Sequence, residues 1–298
     1  MMRTKFDIQV SDTCNLTCKH CLMDSSLHKC KVNFNNIIKT LKQQQCVDTI
    51  YLSGGEPLIT ENNAKEIFNL MKEFPYTKFK IVTNLCYELT PYRLAVMKNV
   101  ESLQTSFDIG IRFGNIKNLN KWYHNCKWLL NNGYPLEVIC TITSHIISKG
   151  PEKIIKLFND MGFNAYKFAV GSYLGTFKDN KDLHVTKQQH VDFMNKMLDI
   201  IDLKNGTIKE IKEKTWTACK YMELQPINQN GELVHCAAWE KVDSKCLNSI
   251  QCYSCTNYRY CGGRCCSTPC MFDKDIYDRV MNEYYANDEY KHILEGDY

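Results

Sequence analysis

The sequence lacks several things, and each absence narrows the reading. No stretch stays apolar for long enough to cross a membrane. The opening residues, Met1 to Lys5, carry no apolar core of the kind that directs export. Charge of one sign is also scarce. The 37 Lys and Arg against 33 Asp and Glu leave a formal net charge of +4, too little to argue for a nucleic-acid partner. Lys-rich stretches such as Lys209 to Lys214 read as solvated helix faces. No internal repeat or low-complexity tract interrupts the chain. The expectation is a soluble cytoplasmic protein that works without a membrane or nucleic acid. Its 298 residues, 44% of them hydrophobic, suit one large domain, or one with a small companion, around a real core.

Cysteine, by contrast, is abundant. Seventeen are present, an odd number that fits full disulfide pairing poorly in a chain with no export signal. Cysteines at motif spacing then read as metal ligands. Nine of the seventeen fall between Cys219 and Cys270. Near the start, Cys14, Cys18 and Cys21 are spaced C-x3-C-x2-C. Three thiolates on one short loop can hold three irons of a cubic [4Fe–4S] cluster and leave the fourth iron open to a ligand. The competing readings are a zinc knuckle or three unrelated buried thiols, although zinc sites usually take paired C-x2-C or Cys/His ligands. A second signal follows. Gly54-Gly55-Glu56-Pro57 closes a short apolar run from Thr49 to Leu52. Glycines at a strand end let backbone approach a ligand closely, because no Cβ intervenes.

Between these signals the chain alternates strand and helix. Strands are expected at Phe6–Val10, Thr49–Leu52, Phe79–Val82, Leu103–Phe107, Leu136–Ile142 and Ala165–Val170. Helical spacing runs through Phe34, Ile37, Ile38 and Leu41 behind an Asn33 cap, and through Ile67 to Phe74. Further helices follow Thr90-Pro91, run from Leu119 to Leu130, open at Pro151 and extend from His190 to Ile201. Six β-α steps imply an α/β fold with a parallel sheet and helices outside it. The Cys loop, Gly54-Gly55 and Thr83-Asn84 all fall just past strand C-termini, where barrels of this kind place their sites.

The Cys triplet and the Gly-Gly-Glu-Pro turn together resemble the radical S-adenosylmethionine (SAM) enzymes. That resemblance implies a partial (β/α)6 TIM-like barrel, with one [4Fe–4S] cluster on Cys14, Cys18 and Cys21. It implies that Gly54, Gly55, Glu56 and Pro57 contact SAM, that His20 lies near its adenine, and that Thr83, Asn84, Ser106 and Asp108 contact its ribose or carboxylate. Polar residues that simply cap strand ends are the other reading of those four. Cys86 is a candidate hydrogen donor to a substrate radical, against the simpler role of a small buried side chain.

The later cysteines resemble a SPASM domain, the auxiliary-cluster module of many radical SAM enzymes. Cys219, Gly231 and Cys236 are followed by Cys252-x2-Cys255-x5-Cys261-x3-Cys265 and then Cys270. A zinc ribbon is the alternative. The resemblance implies two auxiliary [4Fe–4S] clusters, one on Cys219, Cys236 and Cys265 and one on Cys252, Cys255, Cys261 and Cys270. The fourth iron of the first would be open, or bound by Cys246 or Cys266, and Cys266 is also a substitute for Cys270. The expected division is residues 1–205 for the barrel with a bridging helix and 206–298 for the SPASM domain with a C-terminal helix.

The chemistry so implied is reductive cleavage of SAM to a 5′-deoxyadenosyl radical that abstracts hydrogen from a substrate, with electrons from a flavodoxin- or ferredoxin-type donor. SPASM enzymes mostly resemble peptide maturases, so oxidative modification or crosslinking of a peptide is expected. Cys236 is followed by Ala237-Ala238 rather than the aspartate frequent in the sulfatase-maturing branch. The short chain, whose first strand starts near Lys5 without a leader-binding domain before it, suits the alternative: a dehydrogenase or epimerase of an aminosugar or cyclitol. An iron–sulfur electron carrier or scaffold is a third class, and the complete Gly-Gly-Glu-Pro turn argues against it.

Overall fold

The computed structural model describes residues 5–24, 31–108, 110–200, 224–234, 255–256 and 270–285. Its centre is a sheet of seven strands, all paired in parallel: β1 (Lys5–Ser11), β2 (Thr49–Gly54), β3 (Lys78–Thr83), β4 (Ser102–Phe107), β5 (Leu136–Ile142), β6 (Tyr166–Val170) and β7 (Leu224–Ile227). The order across the sheet is β6-β5-β4-β3-β2-β1-β7. Helices α1 (Phe34–Lys42), α2 (Glu61–Glu73), α3 (Pro91–Asn99) and α4 (Ile116–Asn131) connect the first five strands. Then come α5 (Ser144–Lys149), α6 (Pro151–Met161), α7 (Thr176–Asp179), α8 (Lys187–Ile200) and α9 (Lys274–Tyr285). Six successive β/α units in an open sheet make the expected α/β partial barrel.

Period-two alternation sorts the side chains. Phe6, Ile8 and Val10 of β1, Ile50 and Leu52 of β2, and Phe79 and Ile81 of β3 are buried in one core with Ile37, Leu41, Ile67, Leu70 and Val96 of the helices. Leu103, Phe107, Val138 and Phe168 continue that face, meeting Trp122 and Phe158. Phe107 packs on Trp122 and Phe158, with ring centroids 5.0 and 5.5 Å apart. The other face is polar. Register places Asp7, Tyr51 and Lys80 in one row, and Val82, Gln104 and Glu137 in another. Gln104 Nε2 donates to Glu137 at 3.0 Å, and the Ser53 hydroxyl donates to Asp7 at 2.5 Å.

Helix starts follow local chemistry. Asn33, Thr60, Asn115 and Thr143 each accept a backbone N–H of the first turn, a contribution of about 1 kcal/mol apiece. Thr90 is an exception: its hydroxyl bonds to Glu61 instead of capping α3, which starts on Pro91. Three elements were not expected from sequence: α5, α7 and β7. β7 lies beyond the expected domain boundary yet pairs with β1 in the same sheet. The boundary itself, near Lys204 to Gly206, falls outside the described residues.

Candidate functional site

Past Ser11 the chain leaves the sheet in the loop that carries Cys14, Cys18 and Cys21. Neighbouring strand ends hold this loop from three sides. From β2, Gly55 N–H donates to Ser11 O at 2.8 Å and Glu56 N–H to Thr13 O at 2.9 Å. Gly54 makes that approach possible: its φ is +126°, and a Cβ there would run into the Ser11 carbonyl. From β4, the Ile111 carbonyl accepts Lys19 N–H at 3.1 Å. From β6, the Thr176 hydroxyl accepts Cys21 N–H at 3.2 Å and donates to Cys18 O at 3.0 Å. Thr176 N–H in turn bonds the Asp24 carboxylate. Gly175, at φ +56°, lies so close beneath the Cys21 and Leu22 carbonyls that a Cβ would overlap both.

The sequence-derived candidates divide into those that face the loop and those that hold the frame. Glu56 is fully buried and its carboxylate accepts three donors: the Thr83 hydroxyl at 2.7 Å, Leu58 N–H at 3.0 Å and Asn84 N–H at 2.6 Å. Burial pushes its pKa up to about 7, against the pull of those donors. Thr83 is engaged by Glu56 and by the Tyr87 hydroxyl. Glu56 and Thr83 therefore tie the end of β2 to the end of β3, and Pro57 is buried beside them. Asn84 reaches the loop: its amide lies 3.6 Å from Cys14 Sγ and donates to Asn15 at 2.7 Å. Ser106 is half-buried on the polar face of β4. Cys86 is buried and its thiol contacts the carbonyls of Asn84 and Asn118 at 3.3 and 3.5 Å. Burial raises the Cys86 pKa to about 12, as it does for Cys14.

His20 and Asp108 meet. His20 Nε2 lies 3.0 Å from Asp108 Oδ2, and the ring stands edge-on to Phe177. A residue that sequence reasoning missed completes the group. Arg112 Nε donates to Asp108 Oδ2 at 2.9 Å, and its Nη2 lies 3.0 Å from the same His20 nitrogen. Its Nη1 lies 3.9 Å from Cys18 Sγ, while its carbonyl accepts from the Cys18 thiol at 3.5 Å. Burial raises the Cys18 pKa and Arg112 pulls it back. The only signal for Arg112 in the sequence is its place four residues after Asp108, past a strand end.

Among the described residues, no three metal-binding side chains converge on a single ion. A four-iron cluster asks for something wider, with one thiolate per iron. The donor set fits that demand: three thiols on one loop, with an amide and a guanidinium beside two of them. Nδ1 of His20 is buried and has no partner among the described residues, so a ligand atom is what would complete it. Of the later cysteines, Cys255 and Cys270 are exposed. Cys219, Cys236, Cys246, Cys252, Cys261, Cys265 and Cys266 lie outside the described residues.

No family model matches the chain, and no curated protein matches it. Solved structures do. The SuiB protein of Streptococcus suis bound to the precursor peptide SuiA superposes with a TM-score of 0.64 at 13% identity, covering 81% of this chain. The chain spans 61% of that protein's length. The anSMEcpe protein with bound AdoMet and the Cp18Cys peptide gives a TM-score of 0.66 at 14% identity, covering 98% of both chains. SuiB bound to S-adenosylmethionine gives 0.66 at 13% identity, covering 89% of this chain and 73% of that one. At these identities the likeness is one of fold. The partial barrel is shared with proteins that bind AdoMet. No described helix is long and apolar enough to cross a membrane.

Proposed function

We propose that this chain is a radical SAM enzyme that modifies a peptide. The observation that carries the reading is the convergence at one end of the sheet. The Cys14-Cys18-Cys21 loop sits there among the Gly54-Gly55 turn, Asn84, and the His20-Asp108-Arg112 group. In this reading Cys14, Cys18 and Cys21 hold a [4Fe–4S] cluster, and Gly54, Gly55, Asn84 and His20 lie against SAM. When bound, cluster and SAM supply a one-electron reductive cleavage that yields a radical able to abstract hydrogen. The chain's own residues fix the loop and present a polar sheet face to substrate. Two auxiliary clusters on the later cysteines, with a flavodoxin- or ferredoxin-type donor, would carry the electrons of a net oxidation. Peptide as substrate is supported by the two structural neighbours solved with peptides. The polar face that carries Asp7, Lys80, Gln104 and Glu137 favours a second substrate reading, a small hydroxylated molecule such as an aminosugar or cyclitol.

Anaerobic reconstitution tests the core of this. About twelve irons per chain are expected from three four-iron clusters. Changing Cys14, Cys18 and Cys21 together to Ala should remove about four of them and abolish SAM cleavage to 5′-deoxyadenosine. Tightly bound zinc with no iron would overturn the proposal. Mass spectrometry of a co-expressed short peptide, against an aminosugar panel, separates the two substrate readings.

A further inference from the structure

Arg112 reaches one proposed ligand. Its guanidinium lies 3.9 Å from Cys18 Sγ, and its carbonyl, 3.5 Å from the same sulfur, accepts only while that sulfur keeps its proton. The neighbouring Ile111 carbonyl holds Lys19 N–H, so the backbone of this segment is fixed against the Cys loop independently of the side chain. The guanidinium is fixed as well. Asp108 takes its Nε, and Asp108 is wholly buried, its other oxygen accepting Thr141 N–H at 3.1 Å. The Arg112 side chain is only 14% exposed. A guanidinium keeps its charge at any pH a protein survives. In a buried setting that charge acts on a neighbour several times more strongly than it would in water.

We infer that Arg112 is a positioning residue that raises the reduction potential of the cluster held by Cys14, Cys18 and Cys21. The inference rests on the proposal that these cysteines hold a four-iron cluster. One-electron reduction adds a negative charge to the cluster, and a fixed positive charge beside a ligand sulfur stabilises the reduced form more than the oxidised one. Iron–sulfur potentials respond to net charge and to hydrogen bonds at the sulfurs, and Arg112 supplies both at Cys18. Asp108 partly offsets that charge, because its carboxylate lies on the far side of the same guanidinium. A simple strut joining two loops would need the Arg112 fork only to bind Asp108 and would leave the potential alone.

The test is a dithionite redox titration of the reconstituted full-length chain followed by paramagnetic resonance, with iron counted in each sample. To isolate one signal, the measurement compares each variant with the same variant lacking Cys14, Cys18 and Cys21. Arg112→Gln should move the midpoint of that signal to a more negative value with iron retained. Arg112→Lys, which keeps the charge, should stay near the parent. Asp108→Asn should move it the opposite way. An unchanged midpoint in a fully loaded Arg112→Gln chain overturns the inference. If that variant does not hold iron, Arg112→Ala decides by the same readout: a negative shift supports the inference and no shift overturns it. Iron loss in every Arg112 variant would mark Arg112 as a strut and also overturns it. Failure of the parent chain itself to bind iron at the three cysteines would instead remove the proposed function on which this depends.

Discussion

His190 shows how one side chain can work against the fold that contains it. It sits on α8, 2% exposed, and neither ring nitrogen has a hydrogen-bond partner among the described residues. Burial lowers its pKa to about 4, with Asp273 opposing the shift. The sign of the effect follows from linkage. The folded chain keeps His190 neutral where the unfolded chain, with an ordinary value of 6.5, binds a proton. The associated stability is therefore present above pH 6.5 and lost as pH falls toward 4, by on the order of 3 kcal/mol across the window. His190→Leu removes both the proton uptake and two unsatisfied polar atoms, each costing about 1–3 kcal/mol when buried. Melting temperature at pH 7 should hold or rise, and its decline between pH 6.5 and 4 should become shallower. A lower melting temperature with the same pH slope would mean that His190 has a stabilising role not visible in its contacts. The sequence marked this position only as one apolar-periodic site among several, and nothing in the pattern distinguishes a buried His without partners from a packed Leu.

At the level of elements, legibility followed periodicity. β5 was read to the residue from its apolar alternation, and α1 from Asn33 and the spacing of Phe34, Ile37 and Leu41. What was missed had no period to show. α7 is four residues long in a Gly- and Tyr-rich loop, yet its Thr176 clasps the Cys loop. β7, Leu-Gln-Pro-Ile, is short and holds a proline, which argues against a strand unless it lies at a sheet edge; among the described residues β7 is the last strand of the sheet. The Gly54-Gly55 turn was legible as a special backbone site, but the structure divides its two glycines. Gly54 is required by the Ser11 backbone beneath it, so Gly54→Ala should impair folding or iron loading whether or not SAM is present. Gly55→Val is expected to leave iron content unchanged and weaken SAM binding, because the added branches stand where SAM backbone contacts are proposed. Equilibrium dialysis with labelled SAM beside an iron assay checks both. Normal SAM affinity in Gly55→Val would reduce the turn to a structural feature.

Across the whole molecule, described segments within and after the cysteine array pack on the barrel. Between Cys219 and Cys236, β7 pairs with β1, the strand that feeds the Cys14 loop. The Thr40 hydroxyl of α1 donates to Gly231 O at 2.6 Å, just ahead of Cys236. After it, Phe272 and Ile276 enter the main core, and Arg279 of α9 bonds Asp199 of α8 at 2.8 Å. Such exposed ion pairs add little, so the apolar contacts carry the attachment. How the first proposed auxiliary cluster is closed decides its role. The motif gives it only Cys219, Cys236 and Cys265. Closed by a fourth cysteine, it can relay electrons and nothing more. Left open, it can take a substrate thiolate, since soft sulfur ligands suit iron–sulfur centres. Cys246 and Cys266 both lie within the array, which favours closure. One of Cys246→Ala and Cys266→Ala should therefore lower the iron count or alter the resonance of that cluster, and added thiol should leave the parent signal unchanged. If neither variant changes cluster content and thiol does perturb the parent signal, closure is wrong and direct ligation of substrate becomes the model.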